Sequence, residues 1–352
     1  MKSPLTVQDV LNSLTDYPVE EPLPAPAYSF RDDGPRFMLS VPSMAKHSTD
    51  EGHQLTLALE HGGYDLQGYG LTTTNVADLL QDLPSVVVVQ DQHEWDSSHL
   101  PKGNKGHLAQ AHEYFTNVGM LANRPDIFRV TIVKDTHRQY ESAKRYSRGI
   151  GCHAWIIYYN PKIAVHTLNW LRPQHLIRTY HTVDASIVPP YQNKDRKGCL
   201  LSGSLGGAYP LRTRLYNAHP PGLDILKHPG YSNTKTYTPE YLKTLSQYKV
   251  AIATASRFGY SLRKIIESTA CGCRVVTDLP VDDVLPEIDA NLIRVHPGED
   301  MNTLAEIVGD VIDSYDPSLQ ESMAAKAIAY YDYRASGTRL SSAIETLRRS
   351  YP

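Results

Sequence analysis

Short, continuously apolar runs recur along this chain, separated by stretches of helical period, and the pattern is laid down twice. SVVVVQ (85–90), FRVTIVK (128–134) and AWIIYY (154–159) belong to the first series; KVAIATAS (249–256), RVVTDLP (274–280) and NLIRVHP (291–297) belong to the second. A strand apolar at every position is buried on both faces, which requires a parallel sheet with helices above and below it. PKIAVHTLNWL in the first series, and SLRKIIESTACG and MNTLAEIVGDVIDSY in the second, supply such helices. The stretch between the series, TVDASIVPPYQNKDRK (182–197), carries two adjacent prolines and a charged run, the composition of a domain linker. The expected fold is therefore α/β, with two Rossmann-like doubly wound domains facing across a cleft and closing C-terminal helices. Its parts are an extended amino-terminal arm at 1–36, an amino-terminal domain at 37–181 suited to an acceptor, a linker at 182–197, a carboxy-terminal nucleotide domain at 198–317, and helices at 318–352. Gly337 is the expected break in those helices, and a return of the tail onto the first domain is left open.

A chain of 352 residues fits two such domains at about 150 residues each. Apolar residues at 41% and charged residues at 21% exclude a disordered chain, and a net charge of −3 excludes a global positive field drawing it to nucleic acid or anionic membrane. Any anion site must be local. Cys152, Cys199, Cys271 and Cys273 lack the spacing of a zinc or redox motif and read as reduced, structural thiols. The start MKSPLTVQDVLNSL has no apolar core of a leader, and no run approaches the ~20 residues that span a bilayer, so the expected location is cytoplasmic.

Two segments carry the chemistry. In SRFGYSLRKIIESTACGCRVVTDLP (256–280), a helix from Ser261 places Arg263, Lys264 and Glu267 in its first two turns, with Lys264 and Glu267 on one face. A helix start with two cations suits a pyrophosphate, and a carboxylate, which only accepts hydrogen bonds, suits the paired hydroxyls of a ribose. In SGSLGGAYPLRTR, Gly203, Gly206 and Gly207 permit close approach of backbone to a ligand, with Ser204 and Arg212 at the same sheet edge. Taken singly, the first could be a surface ion pair and the second a plain turn; on one sheet edge they make a diphosphate cradle. Asp282 and Asp283 follow Pro280 without histidine partners and read as a solvated loop.

KIIESTACGCRVVTD resembles the donor-site segment of GT-B glycosyltransferases, and GSLGGAYPLR with the His228–Tyr231 stretch HPGY resembles their group 1 (family 4-like) and CgeB-like branch. The resemblance spans about 198–297. It implies a metal-independent enzyme moving a sugar from a nucleotide sugar, in the first instance a UDP-sugar, to a hydroxyl acceptor, with no cofactor required. It implies that Gly203, Ser204 and Arg212 contact phosphates, that Arg263 and Lys264 neutralise the leaving diphosphate, that Glu267 holds the ribose, and that His228 or Tyr231 lies near the base. Relatives carry a second glutamate eight residues ahead of the first. Here that position is Gly259, and Tyr260 and Ser261 are the candidate substitutes.

An inverting reaction needs a base for the acceptor hydroxyl, whereas a retaining one does not, and the sequence leaves the two open. Asp91, His93, Glu94 and Asp96 after one strand, and Asp135 and His137 after another, are the candidates, the His–carboxylate pairs being suited to proton abstraction. Glu94, Arg138 and Arg145 are candidate acceptor contacts. The basic run RQYESAKRYSR (138–148) is either a solvated helix face or a track for a phosphate-bearing acceptor, including a hydroxylated base in modified DNA. A saccharide or lipid-linked acceptor is equally compatible. Competing readings are a sugar-nucleotide epimerase or hydrolase of the same fold, and a noncatalytic nucleotide-sugar or nucleic-acid binding module.

Overall fold

A computed structural model describes residues 1–14, 29–39, 49–67, 73–89, 119–133, 144, 147–227 and 234–351. The chain divides into two compact units, Met1–Thr15 with Tyr180–Ser336, and Asp16–Thr179 with Gly337–Pro352. Helix α1 (Val7–Ser13) belongs to the first of these; Thr6 caps it, its side chain accepting from the Asp9 amide while Asp9 accepts from the Thr6 amide.

The unit holding Asp16–Thr179 is built on six parallel strands: β1 (Arg36–Leu39), β2 (Asp65–Gln67), β3 (Val86–Val89), β4 (Phe128–Val133), β5 (Ala154–Ile157) and β6 (Leu176–Arg178). Their spatial order is β2-β1-β3-β4-β5-β6, with Val87 opposite both Phe37 and Arg129 in the ladder. The β-branched run of β3 is buried at every residue, as a central parallel strand must be. Helices α2 (Thr49–His61), α3 (Thr73–Gln81) and α4 (Pro161–Thr167) lie between the strands in the chain. Asn160 caps α4 through the Lys162 amide, and Pro161 stands where its missing N–H is not needed.

The other unit carries five parallel strands, β7 (Lys197–Gly203), β8 (Leu223–Lys227), β9 (Tyr248–Ile252), β10 (Arg274–Thr277) and β11 (Leu292–Arg294), in the order β11-β10-β9-β7-β8. From β7 the chain steps outward to β8 and returns across β7 to β9, so the winding reverses between β7 and β9. Helices α5 (Pro210–Ala218), α6 (Thr234–Leu245), α7 (Arg263–Ala270), α8 (Met301–Asp313) and α9 (Pro317–Tyr331) cover the two faces. Leu211, Leu215 and Leu304 pack on Leu201, Val250 and Val276; Leu242, Ile265, Ile266 and Tyr331 pack with Leu200, Ala251 and Val275. Alternate residues of one strand thus serve alternate layers.

Four expectations change. Helix α10 (Tyr333–Ser350) runs through Gly337 without a break. Gly337 is there because a Cβ would land on the Ala58 carbonyl oxygen of α2, so only glycine lets the two backbones approach. The stretch 182–197 is not a free linker. Val183 and Val188 are buried in the core of the later unit, the Val183 amide donates to Tyr331 O at 2.9 Å, and Arg196 donates to the carbonyls of Tyr248 (2.7 Å) and Cys271 (2.9 Å). Its charge is spent on backbone acceptors. The amino-terminal residues include helix α1 rather than being extended throughout. Of the two carboxylates read as a solvated loop, Asp282 is exposed in a turn, where it accepts from the Val7 amide at 2.6 Å, whereas Asp283 is buried. All four cysteines are free, and the Cys271 and Cys273 thiols donate to the Leu242 and Leu245 carbonyls. Among the described residues no helix is long and apolar enough to cross a membrane.

Candidate functional site

Ligands of open parallel sheets lodge beyond the carboxyl ends of the strands where the winding reverses, which in the later unit is between β7 and β9. Gly203 ends β7 with φ +119°, and a Cβ there would stand 2.5 Å from Arg212 Nη1. The glycine therefore makes room for a guanidinium. Arg212, in the first turn of α5 and 2% exposed, donates from Nη1 to Ser204 O at 2.9 Å and from Nη2 to Thr254 O at 3.4 Å. Its guanidinium also stacks over the Tyr209 ring at 4.3 Å. One buried cation thus pins the loop after β7 to the loop after β9. The Arg257 amide bonds Ala208 O at 2.8 Å and joins the same loops again. Arg214, two residues on, goes elsewhere and donates to the carbonyls of Pro297 and Glu299.

The loop after β9 leads into α7. Ser256 Oγ accepts from the Phe258 and Tyr260 amides, and Gly259 takes φ +69°. This turn delays the helix, which begins at Arg263 and not at Ser261; Leu262 occupies the cap position in extended conformation without a side-chain cap. At this start the Ile265 amide turns back to Leu262 O at 3.1 Å, and Arg263 and Lys264 stand at the positive end of the helix. Tyr260 and Ser261 are buried.

Within α7 the pairing differs from the i,i+3 expectation. Glu267, 1% exposed, places Oε1 at 3.0 Å from Arg263 Nε, while its Oε2 is buried without a partner. Lys264 instead lays its ammonium over the Tyr241 ring of α6, with Nζ 4.0 Å from the centroid, and the Tyr241 hydroxyl bonds Ser202 Oγ at 2.7 Å. Burial pushes the Lys264 ammonium down to about 8; Glu267 opposes this, and Arg263 and Arg212 add to it.

Asp278 is a member of this group that sequence reasoning missed. It is the first residue beyond β10, and its Oδ1 accepts from the Ala255 amide at 2.6 Å. Burial pushes its carboxyl up to about 7, against the Ala255 N–H and the Arg212 charge. The available signal was positional: a carboxylate directly after an apolar parallel strand stands on the edge where such sheets bind.

The structure thus gathers Gly203, Ser204, Arg212, Tyr260, Ser261, Arg263, Lys264 and Glu267 in the loops and the helix start beyond β7 and β9. The expected catalytic residues Asp91, His93, Asp135 and His137 lie outside the described residues. So do His228 and Tyr231, and Glu94, Asp96, Arg138 and Arg145. Chemically, the group offers cations and an uncapped helix start to an anion, and an unsatisfied buried carboxylate oxygen to a hydroxyl donor. Among the described residues no group of three His, Cys, Asp or Glu side chains is arranged to hold a metal ion.

No family model and no curated protein matches this chain. Among solved structures it is similar to Anabaena HepE in complex with UDP-glucose, at 11% identity over 89% of this chain and 100% of that one, with a TM-score of 0.57. It is also similar to a glycosyltransferase from Rickettsia africae ESF-5, at 11% identity over 91% of this chain and 100% of that one, with a TM-score of 0.52. At such identity the likeness is one of fold: two parallel α/β units of the GT-B kind.

Proposed function

We propose that this chain is a glycosyltransferase that takes a sugar from a nucleotide sugar, a UDP-sugar in the first instance, and delivers it to a hydroxyl acceptor without a metal ion. The observation that carries this reading is the convergence of Arg212, Arg263 and Lys264 with the unsatisfied Glu267 Oε2 beyond the strands where the winding reverses. Displacement at an anomeric carbon leaves a nucleoside diphosphate, and fixed cations at the point where that charge develops stabilise the transition state more than the ground state. Arg263 and Lys264 are assigned to the diphosphate. Arg212 acts from below, holding the loop carbonyls and adding its field. Glu267 is assigned to the ribose, whose hydroxyls would satisfy Oε2. HepE, of the same fold, is known in complex with UDP-glucose and with UDP, which supports the choice of nucleotide. The acceptor base is sought among Asp91, His93, Asp135 and His137.

The test is a thermal-shift and calorimetric screen of UDP-, GDP-, ADP-, TDP- and CDP-sugars, followed by transfer assays with saccharide, lipid-linked and hydroxylated-DNA acceptors. A ligand bound only by the native state raises its melting temperature by mass action. Glu267→Gln is expected to weaken UDP binding about tenfold, the loss of one hydrogen bond to a charged acceptor. Absence of any nucleotide binding overturns the reading, and rapid conversion of donor without acceptor replaces it by an epimerase or hydrolase.

A further inference from the structure

Two strand ends meet at the Arg212 guanidinium, and a third carries a carboxyl that feels its charge. Ser204 O and Thr254 O, beyond β7 and β9, accept its hydrogen bonds, and the Asp278 carboxyl beyond β10 lies within its field. Asp278 is 7% exposed, and the Ala255 amide is the one group of another described residue that bonds its side chain. A carboxyl can accept about four hydrogen bonds; the Ala255 amide and Asp278's own amide account for two, so capacity is left for a ligand hydroxyl.

The chemistry of the proposed donor sorts these groups. Its diphosphate is drawn to cations and repelled by carboxylates, whereas its two polyol portions, the ribose and the transferred sugar, are neutral and rich in hydroxyl donors. Two nearly buried carboxyls accompany the cations: Glu267 on α7, joined directly to Arg263, and Asp278 at the end of β10, joined to the loop that Arg212 holds. No carboxylate stands at 259, where φ +69° favours glycine. Resting on the donor-site reading above, we infer that Asp278 is a specificity-determining residue, taking a hydrogen bond from a hydroxyl of the transferred sugar. With its acidity near neutrality the carboxyl can both donate and accept, and a carboxyl that is partly neutral repels the neighbouring diphosphate less.

The experiment is calorimetry on the full chain with UDP and with whichever of UDP-glucose, UDP-galactose and UDP-N-acetylglucosamine the wild type binds tightest. It compares wild type, Asp278→Asn and Asp278→Ser, with melting curves to establish that each is folded. UDP is expected to bind both variants within about twofold of wild type, and the sugar nucleotide about tenfold more weakly, as for the loss of one such hydrogen bond. A deoxy-sugar series on the wild type is expected to show one hydroxyl whose removal reproduces that loss, and removal of the same hydroxyl is expected to cost the Asn variant nothing further. Unchanged sugar-nucleotide binding in Asp278→Asn, or equal losses for UDP and its sugar, overturns the assignment while leaving the donor site standing. Should neither variant fold, a wild-type deoxy series with no weakened member overturns it. A wild type that binds no nucleotide of the wider screen removes the donor site itself, and this assignment with it; one that binds only another base is compared in the same way with that base's diphosphate and sugar nucleotide.

Discussion

Lys264 is the residue whose environment most directly sets a measurable behaviour. In the unfolded chain its ammonium titrates near the ordinary lysine value, and in the folded protein burial lowers it to about 8. Between these values the unfolded state holds the extra proton, so the contribution of Lys264 to stability is greatest above the unfolded value and is lost as the pH falls through about 8. The diphosphate binding proposed for Lys264 runs the other way, since it needs the charged form. UDP affinity is expected to fall as the pH rises through about 8, and Lys264→Met is expected to bind weakly without that inflection; calorimetry at pH 6.5 and 9.5 checks both. The candidacy of Lys264 was legible from its place after an apolar strand and ahead of Glu267. Its true neighbour was not, because Tyr241 comes from a different helix and no local spacing links them. The same holds for Asp278, whose partner Ala255 lies 23 residues away. What periodicity cannot supply is the neighbour across the sheet.

At the scale of elements, the strands were legible because runs such as Val86–Val89 have no alternative to burial on both faces. Gly337 was misread because a glycine in a helical pattern has two meanings, interruption or close approach, and only the position of Ala58 decides between them. Gly337→Ala is expected to destabilise the unit holding Asp16–Thr179 by ~3 kcal/mol or more, beyond ordinary overpacking, because the obstacle is the α2 backbone and not a movable side chain. Denaturant titration measures it, with Gly309→Ala as the comparison: a Cβ there meets nothing within 4 Å. A loss no larger at 337 than at 309 contradicts the helix–helix approach. The uncapped start of α7 was invisible to the sequence for a similar reason, since Ser256 turns its hydroxyl to the Phe258 and Tyr260 amides and moves the helix start two residues on.

At the scale of the molecule, neither unit is one continuous stretch of chain. Residues 1–14 belong with Tyr180–Ser336. The Lys2 amide donates to Glu299 Oε2 at 2.7 Å, Val281 N donates to Leu5 O at 2.8 Å, and Val7 and Val10 are buried. Deletion of residues 1–14 is expected to remove roughly 2–5 kcal/mol from that unit, through loss of the hydrogen bonds of Lys2, Leu5 and Val7 and a small apolar contact, and to lower its melting temperature by several degrees in calorimetry. An unchanged transition sinks that account. The separation of Lys2 from Glu299, 297 residues, also has a meaning during synthesis. At roughly 5–20 residues per second, a ribosome needs on the order of 15–60 s to make the partner of a segment it has already released. For that interval residues 1–14 wait in the company of a nascent chain and its chaperones, and the unit they belong to closes only once residues 281–299 have followed them.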